Sequence, residues 1–163
     1  LRILAVAITA AVAGCTTDVP APRHGKADPI AFFTGRTNGL GELDILFQSP
    51  VPVRVASVGR PDGRGGLILD QRISEGDKPV RMQRWRLRPA GPDRLIGSLT
   101  DADGPVSVTV RGGRIHIEYE MKNGMDVDQW LTLLGDGRTI DNRMSVRRFG
   151  ITLATVEETI AKL

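Results

Sequence analysis

From Gly35 onward, short β-branched and apolar runs are interrupted about every ten residues by glycine-bearing turn sequences, and this punctuation restricts the fold more than any other feature. Pro61-Asp62-Gly63, Gly76-Asp77, Asp103-Gly104, Gly112-Gly113, Asn123-Gly124 and Asp136-Gly137 each offer the positive φ that a tight hairpin needs. The segments between them predict strands over Thr37–Phe47, Val51–Val58, Gly66–Ser74, Val80–Arg88, Arg94–Leu99, Val106–Arg111, Arg114–Met121, Asp126–Leu134, Thr139–Arg148 and Ile151–Ile160. Successive hairpins make an antiparallel meander, and closing it on itself removes the exposed edges. The expected fold is all-β, a single barrel of about 8–10 strands.

Alternation agrees with this. In Arg114–Met121, the residues Ile115, Ile117, Tyr119 and Met121 share one face, while Arg114, His116, Glu118 and Glu120 share the other. The last segment is ambiguous by pattern, because Val156, Ile160 and Leu163 also fit a helical stripe; the strand reading is preferred. Trp130 falls on the same side as Asp126 and Asp128, opposite Val127, Leu131 and Leu133, which predicts a bulge or a strand buried on both faces. Ahead of the barrel, Asp28-Pro29 followed by Ile30-Ala31-Phe32-Phe33 predicts one helical turn, capped by Asp28 and placed to plug the domain.

The first residues carry an address. Ile3–Ala13 is an apolar run of 11 residues behind Arg2. It is too short to cross a bilayer, which takes roughly 20 helical residues, and it suits the central region of a secretory signal. It ends in Val12-Ala13-Gly14-Cys15, the small-residue pattern of a lipobox, where a signal peptidase cuts before a cysteine that has received diacylglycerol. Cys15 is the only cysteine in the chain, so no intrachain disulfide competes for it. The expected organisation is a signal peptide over 1–14, a lipidated tether over 15–27 and the barrel domain over 28–163. Thr16 after the cysteine, in place of Asp, favours the outer membrane by analogy with lipoproteins of diderm bacteria. The expected location is the bacterial cell envelope, facing the periplasm.

Chemistry is sparse. A net charge of +3, from 22 Lys+Arg against 19 Asp+Glu, is a mixed surface, and with 4% aromatic residues no stacking platform for nucleic acid is assembled. His24 stands in the tether and His116 on a polar strand face, so neither offers a nucleophile–histidine pair. A zinc site lacks ligands, Asp101-Ala102-Asp103-Gly104 lacks the remainder of a calcium loop, and no cofactor is expected. The informative stretch is Arg84-Trp85-Arg86-Leu87-Arg88, whose arginines alternate with apolar residues. It reads either as a basic outer face over a core tryptophan or as a stripe for anionic headgroups or a carboxylated ligand.

Several short pieces then recur in a distinctive order: the lipobox, Phe32-Phe33-Thr34-Gly35-Arg36, Gly39 and Gly41, Arg84-Trp85, Gln129-Trp130-Leu131, Asp136-Gly137, Asn142-Arg143-Met144 and Phe149-Gly150-Ile151. In this order the chain resembles the proteobacterial lipoproteins grouped as domain of unknown function 3833. It departs from them at Gln129 and Leu131, where the family usually carries Asp and Met. The resemblance implies a lipocalin-like barrel on a membrane, without an established activity and with a hint toward lipids. Trp85, Trp130, Arg84, Arg86, Asn142 and Arg143 are the candidate ligand-binding residues. The functional expectation is a membrane-anchored barrel binding an apolar or amphipathic small molecule such as a fatty acyl group. The alternative is an envelope scaffold or protein-interaction module whose barrel is filled by side chains.

Overall fold

A computed structural model describes residues 25–163; the signal run, Cys15, His24 and most of the expected tether lie outside them. Ten antiparallel strands follow one short helix: α1 (Pro29–Phe33), β1 (Gly35–Ile45), β2 (Val51–Pro61), β3 (Leu67–Glu75), β4 (Arg81–Gly91), β5 (Arg94–Leu99), β6 (Ala102–Arg111), β7 (Arg114–Met121), β8 (Asp126–Leu133), β9 (Thr139–Arg148) and β10 (Ile151–Lys162). Each strand pairs with its neighbours in sequence, and β1 closes on β10 with Gly39 opposite Ile160. The result is the lipocalin-like meander barrel, in which neighbouring strands of the closed sheet leave no free edge.

Three irregularities depart from the expected grammar. Asp103-Gly104 does not form a hairpin turn. Thr100 and Asp101 turn the chain, and Gly104, at φ 85°, lies inside β6 where the register against β7 shifts between Asp103 and Ser107. A positive-φ glycine serves a bulge as well as a turn, so the dipeptide alone did not distinguish them. The second shift, between Thr152 and Ala154, turns both Leu153 and Ala154 toward the interior. The third lies between Pro89 and Gly91, at the end of β4. No bulge accompanies Trp130: β8 runs in unbroken register from Asp126 to Leu133, and the indole lies half-buried on the outer face.

One end of the barrel is shut by α1. Asp28 caps it by accepting a hydrogen bond from the Ala31 amide at 3.0 Å, and Pro29 stands where a helical N–H would have no partner. Phe32 and Phe33 pack edge-to-face, with centroids 5.0 Å apart, and bury themselves over the barrel end. Lys162 at the end of β10 donates from Nζ to the carbonyls of Ala31, Phe32 and Thr34 at 2.6, 2.9 and 3.0 Å. It supplies a cation and three donors to carbonyls at the helix C-terminus that have no partner within a single turn. Leu67, Leu87, Leu95, Val110, Ile115, Leu131, Ile140 and Ile160 fill the adjoining half of the interior. Toward the other end the wall is lined but not filled.

Candidate functional site

The unfilled part is a cavity of about 490 Å³. Its floor includes Pro29 and Phe33, its middle Leu69, Trp85, Ile117 and Val156, and its mouth Leu43, Ile45, Val53, Met121, Met125 and Leu153. The period-two alternation of the strands makes this wall apolar, since each sends every second residue inward. This size lies within the range of small-molecule pockets, which are concave, mostly apolar and carry a few placed polar groups.

The polar groups come in three sets. Trp85 donates from Nε1 to Gln71 Oε1 at 2.6 Å, and Gln71 in turn donates to Ser57 Oγ at 3.2 Å. The indole also meets Tyr119 edge-to-face at 5.8 Å, and burial pushes the Tyr119 phenol up to about 12, so it stays neutral. On the opposite wall Gln129 Nε2 donates to Asn142 Oδ1 at 2.9 Å, and Asn142 Nδ2 donates to Glu158 Oε2 at 2.8 Å. Burial raises the Glu158 carboxyl above its ordinary range, while the Asn142 bond pulls the other way. Glu158 Oε1 has no hydrogen-bond partner among the described residues. At the mouth, Arg81 ties three segments together: it donates to Glu75 at 3.0 and 3.1 Å, to Asp101 at 3.1 Å and to Gln83 at 2.8 Å. Its charge is therefore already balanced by two carboxylates.

The six candidates from sequence divide between the faces. Trp85 and Asn142 line the cavity. Arg84, Arg86, Trp130 and Arg143 lie on the outer surface, because each stands at the alternate strand position to an inward residue. Arg84 pairs through Nε with Asp70, which also accepts from Arg60 at 2.9 Å; these two guanidinium bonds, Arg84 first, hold the Asp70 carboxyl low. Arg143 pairs with Asp141 at 3.3 Å and Glu157 at 3.5 Å. Trp130 stacks on the His116 ring at 3.9 Å, and the Arg114 guanidinium lies 4.6 Å from the indole centre. His116 is further held by Asp128 at 2.9 Å and faces Glu118 at 3.7 Å. Together with Trp130 and Arg114, this group covers the outer face of β7 and β8.

Gln71, Gln83, Gln129, Arg81 and Glu158 were not among the sequence candidates. Parity carried the signal: Gln83 shares a strand face with Trp85 and Leu87, Gln129 with Val127 and Leu131, and Glu158 with Val156 and Ile160.

Residues 9–162 match the family described as "Protein of unknown function (DUF3833)". The chain belongs to this family. No curated protein matches this DUF3833 chain. Among solved structures it is similar to the S-type phycobiliprotein lyase CPES from Guillardia theta, with 7% identity, TM-score 0.64, and 82% of this chain and 90% of that one covered. A protein of unknown function from the DUF3598 family of Nostoc punctiforme aligns with 13% identity and TM-score 0.70, over 90% of this chain and 53% of that one. Rv2717c from M. tuberculosis aligns with 15% identity and TM-score 0.62, over 83% and 98%. At these identities the likeness concerns the fold of the barrel.

Proposed function

We propose that this DUF3833 protein is a non-enzymatic, lipid-anchored carrier of the bacterial envelope that holds one apolar or amphipathic small molecule, such as a fatty acyl group, inside its barrel. The observation that carries the reading is the cavity of about 490 Å³ with its apolar wall. An unfilled interior of this size forfeits packing that a filled core would gain, and a ligand restores it. It also speaks against the alternative of a filled scaffold. Because Arg81 is already engaged by Glu75 and Asp101, the cavity suits an acyl chain with an uncharged polar end better than a free carboxylate. Trp85 and Asn142 would meet such a ligand from opposite walls.

The anchor is Cys15, carrying diacylglycerol and an amide-linked acyl chain, with the signal over 1–14 removed and Thr16 directing the mature protein to the outer membrane. Each buried methylene adds about 0.8 kcal/mol, so several chains hold far more firmly than one. The chain enters the barrel beside α1, where the Ala27 amide bonds Gly112 O at 2.8 Å. The tether therefore joins the closed end of the barrel, opposite the mouth, and its 12 residues from Thr16 to Ala27 can extend to about 40 Å, so the anchor does not fix which end meets the bilayer.

Native mass spectrometry with lipid extraction, on protein purified from bacterial envelopes, tests the cavity. One acyl-bearing molecule per chain is expected; an interior empty both as purified and after lipid challenge would overturn the reading. Radiolabelled palmitate should enter the wild-type chain and not Cys15→Ser.

A further inference from the structure

Most turns of the barrel show polar residues to water, Asp77, Lys78, Lys122 and Asn123 at the mouth among them, and two adjacent turns depart from this. At the closed end the turns carry Asp62, Arg64, Asp136 and Arg138. At the mouth, the β1–β2 and β9–β10 turns lie side by side, joined by the Leu46 amide bonding Leu153 O at 2.9 Å. Their tips are Phe47, 97% exposed, and Phe149, 89% exposed, with Leu46 and Ile151 exposed beside them.

Both phenylalanines occupy left-handed backbone, at φ 65° and 51°. Those are positions where glycine or asparagine would be unstrained. The chain thus places a large apolar ring where both backbone and hydration oppose it, twice, on adjacent turns. Arg147 and Arg148 precede Phe149, and neither enters an ion pair among the described residues. The Arg148 guanidinium lies 5.4 Å from the Phe149 ring centre. From these tips the apolar surface continues over Ile45 and Leu153 into the cavity.

We infer that the Phe47 and Phe149 turns are a docking device for a lipid bilayer with anionic headgroups, which seats the cavity mouth against the membrane surface. Two protruding rings on separate short turns suit a deformable medium that closes around each, and the free guanidinium groups meet phosphate oxygens beside them. The continuity of apolar surface gives an acyl ligand a path between bilayer and cavity that avoids water. This surface stands on its own observations and does not depend on the cavity being occupied.

Depth-dependent quenching tests it in the full-length chain. Phe47→Trp and Phe149→Trp are each mixed with phosphatidylglycerol vesicles whose acyl chains carry bromine, the unsubstituted chain supplying the background of Trp85 and Trp130. The added emission is expected to shift to the blue and lose at least half its intensity. With brominated phosphatidylcholine, or after Arg147→Ser with Arg148→Ser, the quenching should fall several-fold. Quenching requires the tip to enter the acyl region, so attachment through Cys15 alone does not mimic it. Water-like emission unaffected by brominated phosphatidylglycerol would overturn the inference. So would shielding of the new tryptophans that grows with protein concentration in the absence of vesicles, which would mark the face as a contact between copies. Both substituted sites project into solvent, and an unchanged melting temperature verifies that the fold is intact.

Discussion

Glu158 stands in the inward row of β10 between Val156 and Ile160, with 8% of its surface exposed. An acceptor buried without a partner costs roughly 1–3 kcal/mol, more if ionised. Burial raises its folded-state pKa above the unfolded value, so its favourable contribution is full below the ordinary carboxylate pKa of about 4.3 and is lost as pH rises through the folded value. Glu158→Gln, which can still accept from Asn142, should therefore melt with the wild type near pH 4. At about pH 8 it should melt higher than the wild type. Scanning calorimetry at the two pH values measures this, and an equal difference at both would exclude the titration. The same carboxyl explains Gly39, since a Cβ there would overlap it. Gly39→Ala should cost on the order of 1–3 kcal/mol, and most of that loss should disappear when Glu158→Ala is added, a coupling read from a double-mutant cycle in urea. Parity with Val156 and Ile160 turns Glu158 inward in the preferred strand reading, but the competing helical stripe of Val156, Ile160 and Leu163 left that parity unused.

At the scale of elements, the strand positions were legible almost throughout, because turn chemistry and alternation are both local. Arg94–Leu99, Arg114–Met121 and Thr139–Arg148 coincide with β5, β7 and β9. What escaped was where a glycine serves a bulge, as at Gly104, and which outward side chains would cover one another. Trp130 was unplaceable by pattern since its shelter is His116 on the next strand, and cross-strand partners depend on register. The helix shows the converse: its cap could be read from Asp28-Pro29, but its clasp could not, as Lys162 lies 128 or more residues from its acceptors. Lys162→Ala should leave three carbonyls to water and cost roughly 1–2 kcal/mol. Because α1 is one turn, the effect should appear as faster hydrogen exchange at the Phe32 and Thr34 amides, which bond Asp28 O and Ile30 O. The central amides of β7 should be unaffected; uniform acceleration across the barrel would instead mean that α1 and the sheet unfold together.

For the whole molecule, the central question is why an all-β chain of this size keeps its interior partly empty. Residues near α1 fill their half with branched side chains, whereas the mouth half places Ala154, Met121, Met125 and Met144 around the void. Small and flexible side chains there leave room and adapt to different contents. The bulge before Ala154 brings that small residue to the wall, so its side chain controls volume without taking part in the Glu158 or Trp85 hydrogen bonds. Ala154→Phe should occupy part of the space with little strain, keeping stability within about 1 kcal/mol because the new ring fills a void rather than a packed core. For the wild-type barrel, a ligand present at about 100 times its dissociation constant adds roughly 2.7 kcal/mol to stability, a rise of about 8 °C in melting temperature. Titrating both proteins with a neutral acyl ester and following the tryptophan signal of Trp85 and Trp130 through thermal unfolding separates the cases. The wild type should gain stability with ester concentration, while Ala154→Phe should melt near the unliganded wild type at every concentration. Equal ligand-induced shifts in the two proteins would place the bound ester somewhere other than the barrel interior.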